Sequence, residues 1–213
     1  MPYFEELMKA IVLLVVLSVG AGPAFPQSAA RPPWTIRYDA GHGTDSTMEL
    51  SVMAPGWHAT TKGNSGIFYD PSWRASGNYQ IRSTIFVFPD SRSEGYGLFL
   101  AGEKLDGPDQ AYLYFLLRRD GKYLIKHRQG AETHELVPWT DHPAIAKPTA
   151  DGTGKNVIVV NATADSIAFL VNDKPVTSLA RGKVAARGEG TVGLRLNHGL
   201  NLHITEVKIS PSS

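Results

Sequence analysis

The chain contains no cysteine. A disulfide framework, a thiol nucleophile and a lipid-modified cysteine at a cleavage site are all excluded, so stability must come from the core. An excess of one charge is lacking too. The 21 Lys and Arg stand against 20 Asp and Glu, and the densest basic groups, Arg118-Arg119 and the stretch 181–187, are short and interrupted. That balance supplies no electrostatic footprint for nucleic acid. Long apolar runs are absent as well, and no long amphipathic helix pattern appears. Glycine and proline are plentiful instead, at 21 and 14, with 42% hydrophobic residues, the profile of a turn-rich globular chain.

The apolar run at 10–19 is too short to span a bilayer, which takes roughly 20 residues, and has the length of a signal-peptide core. Glu5 and Glu6 outnumber Lys9 ahead of it, whereas a start at Met8 gives the positive flank that export requires. Small residues at Gly22-Pro23-Ala24 or Ser28-Ala29-Ala30 offer cleavage points. The expectation is a removed signal over residues 1–30 with its true start at residue 8. One domain over 31–213 would follow, periplasmic or secreted in a bacterium, with no membrane contact after processing.

From Arg31-Pro32-Pro33 onward, short apolar stretches alternate with turn residues. Strands are expected at 35–39, 48–53, 57–61, 66–69, 78–88, 96–101, 111–119, 122–128, 156–162, 166–171, 190–197 and 200–209. With no crossover helices, the fold class is all-β, a two-sheet antiparallel β-sandwich. Asp120-Gly121 reads as a two-residue type I′ turn between two strands. That register sets Arg119 against Lys122, Leu117 against Leu124, Leu116 against Ile125 and Tyr114 against His127. Leu113, Phe115, Leu117 and Leu124 would then face the core, leaving Tyr112, Tyr114, Tyr123 and His127 on the other face. A second tight turn is expected at Asn172-Asp173, since asparagine tolerates positive φ.

Motifs for chemistry are mostly excluded by what stands at their key positions. His134-Glu135 begins like a zinc-protease helix, but Pro138 replaces the second histidine and would break the helix. Gly152-Thr153-Gly154-Lys155 lacks the first glycine of a phosphate loop, and Asn156 stands where a magnesium-binding hydroxyl belongs; it reads as a turn before a strand. No Gly-x-Ser-x-Gly elbow occurs. Seven histidines and scattered aspartates show no ligand spacing, so neither a catalytic residue nor a metal ligand is assigned. The sequence requires no cofactor and leaves room for a structural calcium ion.

The hairpin at 112–128, the segment Leu136-Val137-Pro138-Trp139, the strands at 156–160 and 167–172, and Gly190-Thr191-Val192-Gly193-Leu194 with its closing strand resemble the concanavalin A-like lectin and glucanase superfamily. Within it they resemble the laminin-G-like jelly rolls and the 3-keto-disaccharide hydrolase type of domain. The resemblance covers residues 57–209 and implies a jelly roll. Asn64-Ser65-Gly66-Ile67-Phe68 repeats a segment of the hydrolase type, here ahead of the long strand at 78–88. The Glu-x-Asp-x-x-Glu strand of the glucanases does not occur, so their acid–base chemistry is not implied.

Aromatic residues supply the functional clue. Sugar rings have apolar faces and polar edges, and their sites pair flat aromatic platforms with hydrogen-bonding side chains. The candidate carbohydrate-binding residues are Trp57, His58, Tyr96, Tyr112, Tyr114, His127, Trp139, His142, Arg195 and His198. Arg195 alternates with Leu194 and Leu196 and should therefore leave the core. The expected function is non-catalytic carbohydrate binding on a concave sheet. An enzyme of the 3-keto-disaccharide hydrolase type, and a structural module meeting another protein through a sheet face, are the alternatives.

Overall fold

A computed structural model describes residues 34–39, 47–184 and 188–212. The expected signal over residues 1–30 lies outside them. The strands are β1 (Thr35–Tyr38), β2 (Met48–Val52), β3 (Trp57–Thr61), β4 (Gly66–Tyr69), β5 (Arg74–Ala75), β6 (Tyr79–Val87), β7 (Tyr96–Glu103) and β8 (Ala111–Arg118). They continue with β9 (Lys122–Gln129), β10 (Glu132–Asp141), β11 (Gly154–Ala162), β12 (Ser166–Val171), β13 (Lys174–Ala180), β14 (Gly190–Leu196) and β15 (Leu200–Pro211). A 3₁₀ turn lies at Arg181–Lys183, and among the described residues no helix is long and apolar enough to cross a membrane.

Two antiparallel sheets pack face to face. The eight-stranded sheet runs β1-β4-β14-β7-β8-β9-β10, with β5 beside β14, and the seven-stranded sheet runs β13-β12-β11-β6-β15-β3-β2. In the seven-stranded sheet burial alternates along the central strand β6, where Tyr79, Ile81, Ser83, Ile85 and Val87 point inward while the residues between are half-buried. That period of two marks a sheet with one face on the core and one face toward water. The eight-stranded sheet behaves differently. Along β7, β8 and β14 almost every residue is buried, whichever way it points.

The inward set holds the sandwich together. Leu98, Leu100, Leu113, Phe115, Leu117 and Ile125 of one sheet meet Ile81, Ile85, Ile158, Val160, Phe169 and Ile204 of the other, all fully buried. Phe115 and Phe169 meet across the interior with ring centroids 5.0 Å apart. Trp34, Trp57 and Trp73 form a further aromatic cluster against this core, with centroids 4.7 and 4.6 Å from Trp34. The outward set of the eight-stranded sheet forms a second cluster of Ile67, Tyr69, Phe99, Tyr112, Tyr114, Leu116 and Leu124, with Leu105 and Trp139 against it.

The β8–β9 register corrects the sequence expectation by one residue. Arg118 pairs with Lys122, Leu116 with Leu124, Tyr114 with Lys126 and Leu113 with His127. The loop is three residues long, because Gly121 donates to the Arg118 carbonyl at 3.0 Å and itself adopts φ +92°. That is a type I turn closed by a left-handed glycine, an alternative that Asp-Gly serves as well as the two-residue turn. Since a slip of one residue exchanges the faces of a strand, Leu124 joins the tyrosines outside, and Tyr123 and His127 turn to the inner side. The Asn172-Asp173 turn matches expectation: Val171 pairs with Lys174, and both turn residues have positive φ, 51° and 63°.

Strand β10 was expected as loop. It is an edge strand, mostly exposed, with register shifts around Leu136 and before Thr140. Pro138 falls between those shifts, at an edge where a missing N–H donor is tolerated. His134 and Glu135 lie on this strand.

Candidate functional site

The outward face of the eight-stranded sheet is built by alternation. Arg37 of β1 lies opposite Ile67 of β4, and Arg195 of β14 lies between Ile67 and Gly97 of β7. Tyr112, Tyr114, Leu116 and Arg118 follow on β8, facing Arg128, Lys126, Leu124 and Lys122 on β9. On β10, Glu135 meets Lys126 at 3.4 Å and Asp141 meets Lys122 at 3.2 Å. A face that would otherwise be solvated thus carries five aromatic rings and a row of cations.

At its centre the groups are stacked in layers. The Arg195 guanidinium lies 5.5 Å from the Tyr114 ring centroid, and Asp39, just past the end of β1, accepts from Arg195 Nη1 at 3.0 Å and Nη2 at 2.6 Å. The Arg195 side chain is only 6% exposed. This is a bidentate, largely desolvated pair, the strong form of a guanidinium–carboxylate contact. Arg128 approaches the same Asp39 oxygen at 3.4 Å. Burial pushes the Tyr114 hydroxyl up to about 12, with the Arg195 charge pulling the other way. Tyr114 is consequently a neutral hydrogen-bonding group at physiological pH.

One end of this face opens into a cleft of about 660 Å³, lined by residues that include Arg37, Asp39, Tyr69, Leu105, Gln110 and Arg128. Arg37 anchors the loop beyond β7, donating from Nε to Gln110 Oε1 at 2.7 Å, from Nη1 to the Leu105 carbonyl at 2.7 Å and from Nη2 to the Gly107 carbonyl at 2.9 Å. At the opposite end Arg118 lies over the half-buried Trp139 ring, 4.7 Å from its centroid, and pairs with Asp120.

The ten sequence candidates divide among five places. Tyr112, Tyr114, Trp139 and Arg195 share the outward face. His198 lies in the turn after β14, 3.5 Å from Glu94, whose carboxylate is also within 3.4 Å of Asn197. Three candidates are corrected because they point the other way. Tyr96 is fully buried in the sandwich and accepts from Asn156 Nδ2 at 3.1 Å; Trp57 packs in the tryptophan cluster; His127, turned inward by the register, is 5% exposed and stacks against His134. His58 faces out from the seven-stranded sheet beside His203, on the far side of the sandwich, and His142 sits in the loop after β10 near Tyr123. Arg37, Asp39, Tyr69, Gln110 and Arg128 were missed. The signal available for them was parity alone: Arg37 and Asp39 flank the inward Tyr38, and Arg128 shares parity with Leu124 once the three-residue loop is counted.

Among the described residues no three His, Asp or Glu side chains converge where a metal ion could sit, so the calcium expectation finds no cluster there. Buried histidines leave a different mark. His127 is lowered by burial and by the His134 charge, and His58 by burial and by His203. Both bind protons more readily unfolded than folded, so stability is full above the ordinary histidine pKa of about 6.5 and falls as pH drops below it toward the folded values. Urea midpoints between pH 8 and 5 will fall with pH, and His127→Leu will flatten part of that slope. An unchanged slope in the variant would show that His127 titrates normally.

No family model matches the sequence, and no curated protein matches it. Solved structures do. The carbohydrate-binding module CBM66 from Bacillus subtilis superposes with a TM-score of 0.62 over 84% of this chain and 96% of that one, at 13% identity. A galectin-like-fold protein of unknown function from the same organism gives 0.58 at 12% identity, over 84% and 89%. A GH16 protein from Bacteroides ovatus, in complex with a G4G4G3G product, gives 0.58 at 8% identity, over 83% and 94%. The fold is a two-sheet jelly roll. At these identities the likeness is one of architecture, and function rests on this jelly roll's own outward face.

Proposed function

We propose that this jelly roll binds a carbohydrate, without transforming it, on the outward face of its eight-stranded sheet. The observation that carries the reading is that this face combines aromatic rings with arginines around an open cleft. Tyr69 and Trp139 offer apolar surface for a sugar ring, and the Tyr114 hydroxyl, Gln110 and the guanidinium groups offer donors at its edges. The similar structures fit the reading, since they include a carbohydrate-binding module and a GH16 protein in complex with a G4G4G3G product. Both oxygens of Asp39 are engaged by Arg195, which suits a positioning carboxylate better than a catalytic base. Export belongs to the same proposal, supported by the apolar run at 10–19 and the small residues after it.

A glycan array probed with the full chain tests it. Hits are expected, and Trp139→Ala together with Tyr114→Phe will weaken them by about tenfold or more. Hits that neither substitution changes would move the site off this face.

A further inference from the structure

Among the described residues the cleft gathers more guanidinium charge than the half-buried Asp39 can neutralise. Arg37 and Arg128 line it from β1 and β9, and Arg195 of β14 stands beside it on the half-buried Asp39; Asp106 also lines the cleft but stands exposed. Each nitrogen of Arg37 is held by a neutral acceptor, which fixes the group in place and leaves its charge intact. Asp39 belongs to Arg195, at 2.6 and 3.0 Å. Arg128 receives what is left: 3.4 Å from an oxygen Arg195 already holds, and 3.4 Å from the Gly130 carbonyl. Among the described residues Arg128 Nε and Arg195 Nε are buried with no acceptor in hydrogen-bond geometry, although the Tyr112 hydroxyl, itself unpaired, lies close to Arg128.

Burying a guanidinium with a shared counter-ion and an orphaned donor is costly, and proteins keep such an arrangement where an anion completes it. We infer that the ligand is an acidic saccharide whose anionic group, a uronic carboxylate or a sulfate ester, sits at Arg128 with Arg37 beside it. The inference rests on the carbohydrate reading above and adds the ligand's charge to it. Tyr69 and Leu105, at the same cleft, cover the apolar side of the charged sugar. A guanidinium presents donors in a flat fork that matches either anion, so the two sources share one recognition chemistry.

Calorimetric titration of the full chain with tetragalacturonate, a chondroitin sulfate tetrasaccharide and neutral laminaritetraose tests it, at about 50 and about 300 mM NaCl. At least one acidic probe will bind about tenfold or more tighter than the neutral one, and its affinity will fall with salt. Which acidic probe wins distinguishes carboxylate from sulfate. Arg128→Gln will remove the preference, bringing the acidic probe's affinity down to that of the neutral one. The salt and probe comparisons need no variant, so they stand even where that substitution harms folding. Equal or tighter binding of the neutral tetrasaccharide overturns the inference and leaves the carbohydrate reading in place; a blank glycan array overturns both.

Discussion

Replacing Asp39 with alanine will destabilise the domain by about 3–5 kcal/mol, the usual effect of removing one partner from a buried ion pair. Among the described residues Arg195 has no other carboxylate: both its terminal nitrogens donate to Asp39, its Nε has no acceptor, and its side chain is 6% exposed. The backbone of Asp39 is fixed as well, its N–H donating to the Ser65 carbonyl at 2.8 Å, so the carboxylate is presented rather than flexible. Without it, two guanidinium groups would stand over Tyr112 and Tyr114 with no counter-ion between them. Asp39→Asn will lose less, because the amide oxygen still accepts one hydrogen bond. The double variant Asp39→Leu with Arg195→Met will recover much of the loss, since apolar replacement of a whole buried pair is often neutral. Urea unfolding reads all three, and a loss under about 1 kcal/mol in Asp39→Ala would mean that the pair behaves as a solvated one.

The cause lies in how the second cluster is made. An outward sheet face is ordinarily polar, and the sequence of β8, Ala-Tyr-Leu-Tyr-Phe-Leu-Leu-Arg, carries no polar alternation to say which side is which. Periodicity could therefore place Phe115 and Leu117 together but could not show that Tyr112, Tyr114 and Leu116 are buried too. Strand existence was legible from apolar runs and turns, including the Asn172-Asp173 hairpin. The first hairpin's register was not, because Asp-Gly closes two-residue and three-residue loops alike. That single ambiguity moved His127 from the site into the interior and hid Arg128. Strand β10 escaped because its residues are polar and one is proline, the features by which an edge strand avoids pairing with other chains.

The candidate site was legible in kind and not in membership. Aromatic and arginine residues were the right chemistry, and Tyr112, Tyr114, Trp139 and Arg195 share one face. Arg37 and Asp39 join Arg128 and Arg195 only through the order β1-β4-β14-β7-β8-β9, which brings residues about 160 positions apart in the chain into contact. No local pattern encodes that. Trp57 and Tyr96 illustrate the converse: both were attractive as platforms, and both serve the interior, where a tryptophan packs on other rings and a tyrosine hydroxyl finds Asn156.

Two neighbouring positions on β8 separate the sandwich from the site. Phe115→Ala will cost about 3–5 kcal/mol, because the ring is fully buried between the sheets, 5.0 Å from Phe169 and 6.0 Å from Tyr123, and a rigid β interior collapses poorly around the void. With total stability of the order of 5–15 kcal/mol and no disulfide to hold the chain, that loss brings unfolding within reach of ambient temperature. Tyr114→Phe, one residue earlier and on the opposite face, keeps the ring under Arg195 and removes only a hydroxyl, so its urea midpoint will stay close to the parent's while saccharide binding weakens. If Phe115→Ala unfolded at the parent midpoint, the two sheets would not be held by this contact. If Tyr114→Phe instead behaved like Phe115→Ala, the second cluster would be as structural as the first, and the outward face would be a core rather than a binding surface.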